Sequence, residues 1–302
     1  MISYLDEARV RALLDWDALI AAMEAALTAL SAGRVMQPVR TMLTIEESQR
    51  YLGIMPAVAE DAMGLKLVSF YPGNARRGLP THLAIIVLCR TDTGEPLAVM
   101  DGRLITERRT AAVSAAVTRR LAAPDARVLA LLGSGVQAQA HLEALGRVRR
   151  FDEVRVWSPT AEHAQRFARE HGATATDAET AVRGADVVVT ATASQTPVLR
   201  GAWLKRGALV NAVGAPRPTW RELDDAAMRS VLVADSREAV GQESGDVILS
   251  GATVHAEAGE IFAGTKTVPG GETIVFKSVG LAIEDVAAAR LVHEAHVARG
   301  RA

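Results

Sequence analysis

The stretch VLALLGSGVQAQAHLEAL, residues 128–145, decides the fold. An apolar run of strand composition stops at Gly133, Ser134 and Gly135, and a segment with helical spacing begins at once. A glycine pair at a turn is common and by itself says only that a strand and a helix connect tightly. Here Gly133 closes a buried strand, Gly135 opens a helix, and Ala138 stands where helix and strand must approach closely, as in the dinucleotide fingerprint GxGxx(G/A). Glycines at those places let backbone amides reach a pyrophosphate at the positive end of the helix. Gly133, Gly135, Val136 and Gln137 are therefore the expected cofactor-binding residues of this loop.

Further along, the runs VRVW, DVVVTAT, ALVNAVG and VLVAD alternate with helical or polar stretches, the pattern of parallel βαβ units. An α/β fold with a Rossmann-type dinucleotide-binding domain is expected, with a nicotinamide at the switch point of the sheet. Thr192 and Val213, near the ends of two of these runs, join the expected cofactor contacts. An NAD site usually carries a ribose-reading carboxylate about 20 residues after the glycines. This chain has WSPT there. Ser158 and Thr160 can hydrogen-bond a 2′-phosphate, with Arg155 and Arg166 nearby in sequence as candidate charges. The missing acid favours NADPH, and an uncharged pocket admits NADH as well.

The first part of the chain reads differently. Asp17 stands before ALIAAMEAALTALSAG, whose apolar spacing and terminal Gly33 predict one helix. From Tyr51 to Met100, the runs GLKLVSF, LAIIVLC and LAVMD, separated by PGN and DTG, predict strands and turns. Thr106 is the expected cap of ERRTAAVSAAVTRRLA, Pro124 its end, and the domain boundary is placed there. The tail IEDVAAARLVHEAHVAR predicts a last long helix.

With 34 basic and 35 acidic residues among 302, and no run of like charge, nothing suggests a nucleic-acid or membrane-surface partner. The single Cys89, inside an apolar run, reads as a small core hydrophobe. The charged N-terminus lacks the apolar region of a signal peptide, so a cytoplasmic protein is expected. No metal site is expected.

Several stretches together resemble the ornithine cyclodeaminase/mu-crystallin family: QPVRTML, GLKLVSFYPGN, LAVMDGRLITERRTAAVSA, LLGSGVQAQAH, VNAVGAPRPTWRELDD, ESGDVILSGA and VFKSVGLAIED. They span nearly the whole chain and lean toward the mu-crystallin branch. The resemblance implies a homodimer in which residues 123–280 form the Rossmann domain. Residues 1–122 plus about 281–302 would form a second α+β domain for substrate binding and dimerisation. It implies that Arg40, Lys66 and Arg109 form a catalytic cluster around a substrate carboxylate, and that Thr81 and Thr110 touch the cofactor near the nicotinamide. Physics supports these types: two Arg forks can hold a carboxylate, and a Lys beside them has its pKa pushed down toward proton donation. His82 reads equally as a packed histidine or a proton relay.

One departure matters. Family cyclodeaminases carry an Asp where this chain has Pro216, which removes the carboxylate that ornithine deamination needs at that point. Glu222, Asp224 and Asp225 in the following RELDD read as a helix cap or solvated turn. The expected reaction is therefore NAD(P)H-dependent reduction of a C=N bond in a small carboxylate-bearing imine or cyclic ketimine. The alternatives are a cyclodeaminase-type lyase with bound NAD and a mu-crystallin-like protein that binds a small molecule such as thyroid hormone.

Overall fold

The computed structural model describes residues 2–46 and 50–300. The contacts divide the chain into two units, Met1–Arg109 with Leu281–Ala302, and Thr110–Gly280.

The first unit is built on a six-stranded sheet. Its strands are β1 (Ser3–Leu5), β2 (Thr41–Glu46), β3 (Arg50–Val58), β4 (Met63–Phe70), β5 (His82–Cys89) and β6 (Pro96–Asp101), in the order β1-β6-β5-β4-β3-β2. All neighbours are antiparallel except β1, which lies parallel to β6. Helices α1 (Glu7–Leu13) and α2 (Trp16–Ser31) follow β1. The cap of α2 is Asp15, whose carboxylate accepts from the Asp17 and Ala18 amides at 3.0 Å, and not Asp17 as the sequence reading had it. Gly33 ends that helix in the left-handed conformation, at φ 72°.

The C-terminal helix, Ala282–Gly300, packs against α2 and across β3, β4 and β5. Alternation along the strands gives the sheet two faces. The register puts Leu5, Met100, Ile86, Lys66 and Met55 in one row, all buried, so a lysine stands in the middle of an apolar row. The opposite face is also largely apolar but open: Tyr4, Val99, Val87, Leu65 and Pro56 share a row, and Ile85, Leu67 and Ile54 the next, with Asp101 at its end. Cys89 is half-buried and free, and is not the core residue expected.

Helix α3 (Arg103–Leu121) begins three residues before Thr106, with Asp101 accepting from the Leu104 amide at 3.0 Å. Thr106 lies inside the helix, its hydroxyl donating to the Gly102 carbonyl at 2.7 Å. The division between units falls within this helix, after Arg109, and not at the expected boundary near Pro124. The reason is local: Ser114 and Thr118 hydrogen-bond to His141 and Asn211, so the later turns of α3 belong to the second unit.

The second unit carries an eight-stranded, wholly parallel sheet. Its strands are β7 (Val128–Leu132), β8 (Glu153–Trp157), β9 (Thr174–Ala175), β10 (Val187–Thr190), β11 (Leu209–Ala212), β12 (Val231–Ala234), β13 (Ala256–Glu257) and β14 (Ile274–Lys277). The helices are α4 (Val136–Val148), α5 (Ala161–His171), α6 (Ala178–Val182), α7 (Asp225–Met228), α8 (Arg237–Glu243), α9 (Gly245–Ser250) and α10 (Ala258–Phe262). The order β13-β12-β14-β11-β10-β7-β8-β9 makes β7 and β10 neighbours on either side of the reversal in strand order. Buried on both faces, β10 and β11 are apolar except for Thr190 and Asn211, whose side chains are hydrogen-bonded, as a buried parallel sheet requires. The fold is thus a Rossmann-type α/β unit with a second α+β unit. Among the described residues, no helix is long and apolar enough to cross a membrane.

Candidate active site

In the second unit the glycine loop joins the end of β7 to the start of α4, the placement expected from the sequence. Gly133 leaves β7 at φ 123°, a conformation that only glycine adopts readily, and a Cβ there would lie 2.6 Å from the Ala191 carbonyl oxygen. Gly135 is the N-cap of α4, exposed, with open space where its side chain would be. Ala138 is buried and allows the close approach of helix and strand. The Gln137 side-chain oxygen is buried and has no partner. An open helix N-terminus directly after a strand end fits a dinucleotide pyrophosphate, whose oxygens would accept from the free first-turn amides. Val136 is 57% exposed beside it, and Val213 is half-buried at the end of β11.

A buried polar network shapes the neighbouring loops. Glu222 accepts from the Thr192 amide at 2.6 Å, the Gly214 amide at 2.9 Å, and the hydroxyls of Thr190 and Thr192 at 2.8 and 2.7 Å. Asp246 accepts from the amides of Glu222 and Leu223 and pairs with Lys277 at 2.8 Å, and Lys277 donates to the Gly214 carbonyl at 2.7 Å. Burial raises the pKa of Glu222, while the Lys277 ammonium and the hydroxyl donors oppose that rise. The reading of Glu222 as a cap or solvated turn is therefore corrected: it joins the loops after β10 and β11. Asp224 does cap α7, and Asp225 pairs with Arg221 at the surface. Pro216 is exposed and follows Ala215, which sits at φ 50°.

At the end of β8, Ser158 is buried and Thr160 is the exposed N-cap residue of α5. Arg155 is engaged by Glu153 and by the carbonyls of Thr180 and Arg183, so it is no candidate for a 2′-phosphate. Arg166 lies on the exposed side of α5.

The first unit gathers the charges. Lys66 from β4 is 1% exposed, with its ammonium 2.6 Å from Asp285 Oδ2 and 3.4 Å from the Thr106 hydroxyl. Arg109 from α3 is 4% exposed and donates from Nε to Asp285 Oδ1 at 2.9 Å and from Nη1 to Glu284 Oε2 at 2.6 Å. Burial lowers the Lys66 pKa to about 8, with Asp285 opposing the fall and Arg109 and Arg40 adding to it. Asp285 would be raised by burial, but Arg109 and Lys66 hold it below the usual carboxylate range. His82 is pulled down to about 4 by burial and by Lys66 and Arg109, so it is neutral at physiological pH. Arg40 is half-buried and within electrostatic reach of Lys66 and His82. The structure thus brings Arg40, Lys66, Arg109 and His82 together. Thr81, half-buried, accepts from the Tyr71 amide through its carbonyl in this unit, while Thr110 is a buried residue of the second.

A family model for the ornithine cyclodeaminase/mu-crystallin family matches residues 3–300. The chain belongs to that family. It is 48% identical over 285 residues to the ketimine reductase mu-crystallin of Mus musculus, covering 91% of each chain. The structure of the Thermococcus litoralis Delta(1)-pyrroline-2-carboxylate reductase in complex with NADH and L-proline superposes with TM-score 0.94 at 35% identity, covering 99% of this chain and 98% of that one. An archaeal alanine dehydrogenase dimer with bound NAD gives TM-score 0.92 at 34% identity, covering 99% and 97%.

Against the family motifs, the residues that sequence reasoning missed are Glu284 and Asp285. Both sit in the first turn of the C-terminal helix and are fully buried, yet in IEDVAAA they look like ordinary N-terminal acids of a helix. The available signal was their company: a buried carboxylate needs a partner, and the chain offered a lysine in an apolar strand and an arginine in a small-residue helix.

Proposed function

We propose that the chain reduces the C=N bond of a small imino acid or cyclic ketimine carboxylate with NADPH, or with NADH in its place. The observation that carries this reading is Lys66, a buried ammonium whose pKa of about 8 is matched to proton donation near neutral pH, set beside two guanidinium groups. Arg40 and Arg109, the two guanidinium groups within electrostatic reach of Lys66, grip the substrate carboxylate. Arg109 adds positive potential. Lys66 delivers a proton from Nζ to the imine nitrogen, and the iminium carbon so formed accepts hydride far more readily than the neutral imine. The Gly133–Gly135 loop would hold the pyrophosphate of a nicotinamide dinucleotide, which when bound would supply that hydride. Thr81, Thr110, Thr192 and Val213 are assigned to cofactor contact, and Ser158 and Thr160 to the adenosine ribose or its 2′-phosphate.

The relatives support this chemistry: one is named for ketimine reduction, and another holds L-proline, the product of reducing its named imine. Pro216 stands against the cyclodeaminase alternative, since its ring carries no acid or base. The molecular partner we assign, besides the imine, is a second copy of this chain, seated on the open apolar sheet face, where Tyr4 is 75% and Ile85 44% exposed. The test is oxidation of NADPH and NADH with cyclic ketimine carboxylates and with 2-oxoacids alone. Turnover with the imines only is expected; turnover with 2-oxoacids and no amine would overturn the reading.

A further inference from the structure

The Lys66–Arg109 cluster is held together by a residue from the other end of the chain. Three Nζ–H bonds are available to the Lys66 ammonium. One side of the ammonium faces Asp285 Oδ2, its ion-pair partner at 2.6 Å. Another is directed to Thr106 Oγ1 at 3.4 Å, and that oxygen can accept because the Thr106 hydroxyl itself donates to Gly102. A third remains for a substrate. The other oxygen of Asp285 accepts from Arg109 Nε, and Glu284 takes Arg109 Nη1 while also accepting from the Leu281 amide at 3.2 Å. Each cation thus meets its own carboxylate, and Asp285 bridges the two.

We propose that Asp285 is the positioning residue of the proton donor: one oxygen holds the Lys66 ammonium, the other locks Arg109, and the free Nζ–H is thereby aimed at the imine nitrogen. This rests on the reading of Lys66 as the donor. In the step itself an Nζ–H bond breaks and an N–H bond forms on the substrate. Lys66 is left neutral beside an ionised Asp285, which favours recovery of a proton from solvent after product leaves. The groups that face Lys66 are Asp285 and, through Arg109, Glu284 from the C-terminal helix; Arg109 from α3; His82 from the start of β5; and Arg40 from the segment before β2. Of these, Asp285 alone gives Lys66 a direct anionic partner, so its charge keeps the ammonium protonated against burial and two guanidinium groups.

The experiment compares Asp285→Asn, Asp285→Glu and Lys66→Gln with the wild type by the pH dependence of kcat/KM. Asp285→Asn keeps the shape and loses the charge. Its alkaline limb should move to lower pH by about one unit or more, and kcat should fall by on the order of tenfold to a hundredfold with KM changed less. Asp285→Glu should bring the limb back toward its wild-type position, with kcat still reduced because the ammonium is displaced. A carbon-13 NMR titration of Lys66 in folded protein reads the same shift without turnover. An Asp285→Asn enzyme with the wild-type alkaline limb, or an Asp285→Glu enzyme with wild-type kcat, would overturn the proposal. Lys66→Gln separates it from its premise: full activity there removes Lys66 as donor, whereas an inactive Lys66→Gln with an unshifted Asp285→Asn removes Asp285 alone.

Discussion

Lys66 has almost no contact with water, yet it is charged enough to pair with Asp285, and that tension sets the pH behaviour of the enzyme. Its pKa is lowered to about 8, so kcat/KM should fall as pH rises through about 8, because the donor loses its proton. A rate that instead rises through that range would make Lys66 a base. His82, already neutral above about 4, should contribute no limb between these limits, and His82→Gln should leave the alkaline limb in place. Arg109 behaves differently from a substrate clamp exposed in a cleft. Removing it leaves Glu284 and Asp285 as buried carboxylates short of a cation, so Arg109→Ala should cost about 3–5 kcal/mol of stability by urea denaturation. A stability within about 0.5 kcal/mol of wild type would show that the cluster is solvated. The residue types Lys66 and Arg109 were legible, because charges inside apolar or small-residue segments demand an explanation. Their carboxylate partners were not, because nothing in local sequence tells a buried acid in a first helical turn from an exposed one.

At the scale of elements, the two glycines of the β7–α4 turn serve different ends. Gly133→Ala forces a Cβ onto the Ala191 carbonyl at φ 123°, so it should lower both stability and cofactor affinity. Gly135→Ala meets nothing within 4 Å and should leave the melting temperature near wild type while weakening NADPH by on the order of tenfold or more, since the new methyl takes the place of the pyrophosphate. Cofactor titration beside thermal denaturation separates the two. Equal affinities in Gly135→Ala and wild type would mean that the pyrophosphate does not approach this loop. Strands β7, β8, β10, β11 and β12 were readable as apolar runs between helical stretches. Strand β14 was not, although it lies between β11 and β12, because its short run IVFK ends in a lysine that breaks the apolar pattern. That lysine is explained only by Asp246 and the Gly214 carbonyl, two partners distant in sequence. Helix starts were displaced for a related reason: Asp15 and Asp101 compete with Asp17 and Thr106 as caps, and only backbone geometry decides between them.

For the whole molecule, the motifs that carried the family resemblance prove to be physically connected inside each unit. RELDD, ESGD and VFKSVG meet in the Glu222–Asp246–Lys277 network, and GLKLV, RRTAA and LAIED meet at Asp285. The open face of the first sheet predicts a dimer. Ile85→Asp, which places a charge in the middle of that face, should give a monomer by light scattering with the fold retained; a dimer unchanged by it would exclude this face. The central claim is that hydride passes to the carbon of a C=N bond. Its most direct measurement uses NADPH deuterated at the transferring position of the nicotinamide, with a cyclic ketimine carboxylate, and mass spectrometry of the product. One deuterium on the α-carbon for each NADPH oxidised is the predicted result; release of ammonia and proline from ornithine, with no deuterium transferred and no net oxidation of cofactor, would contradict it.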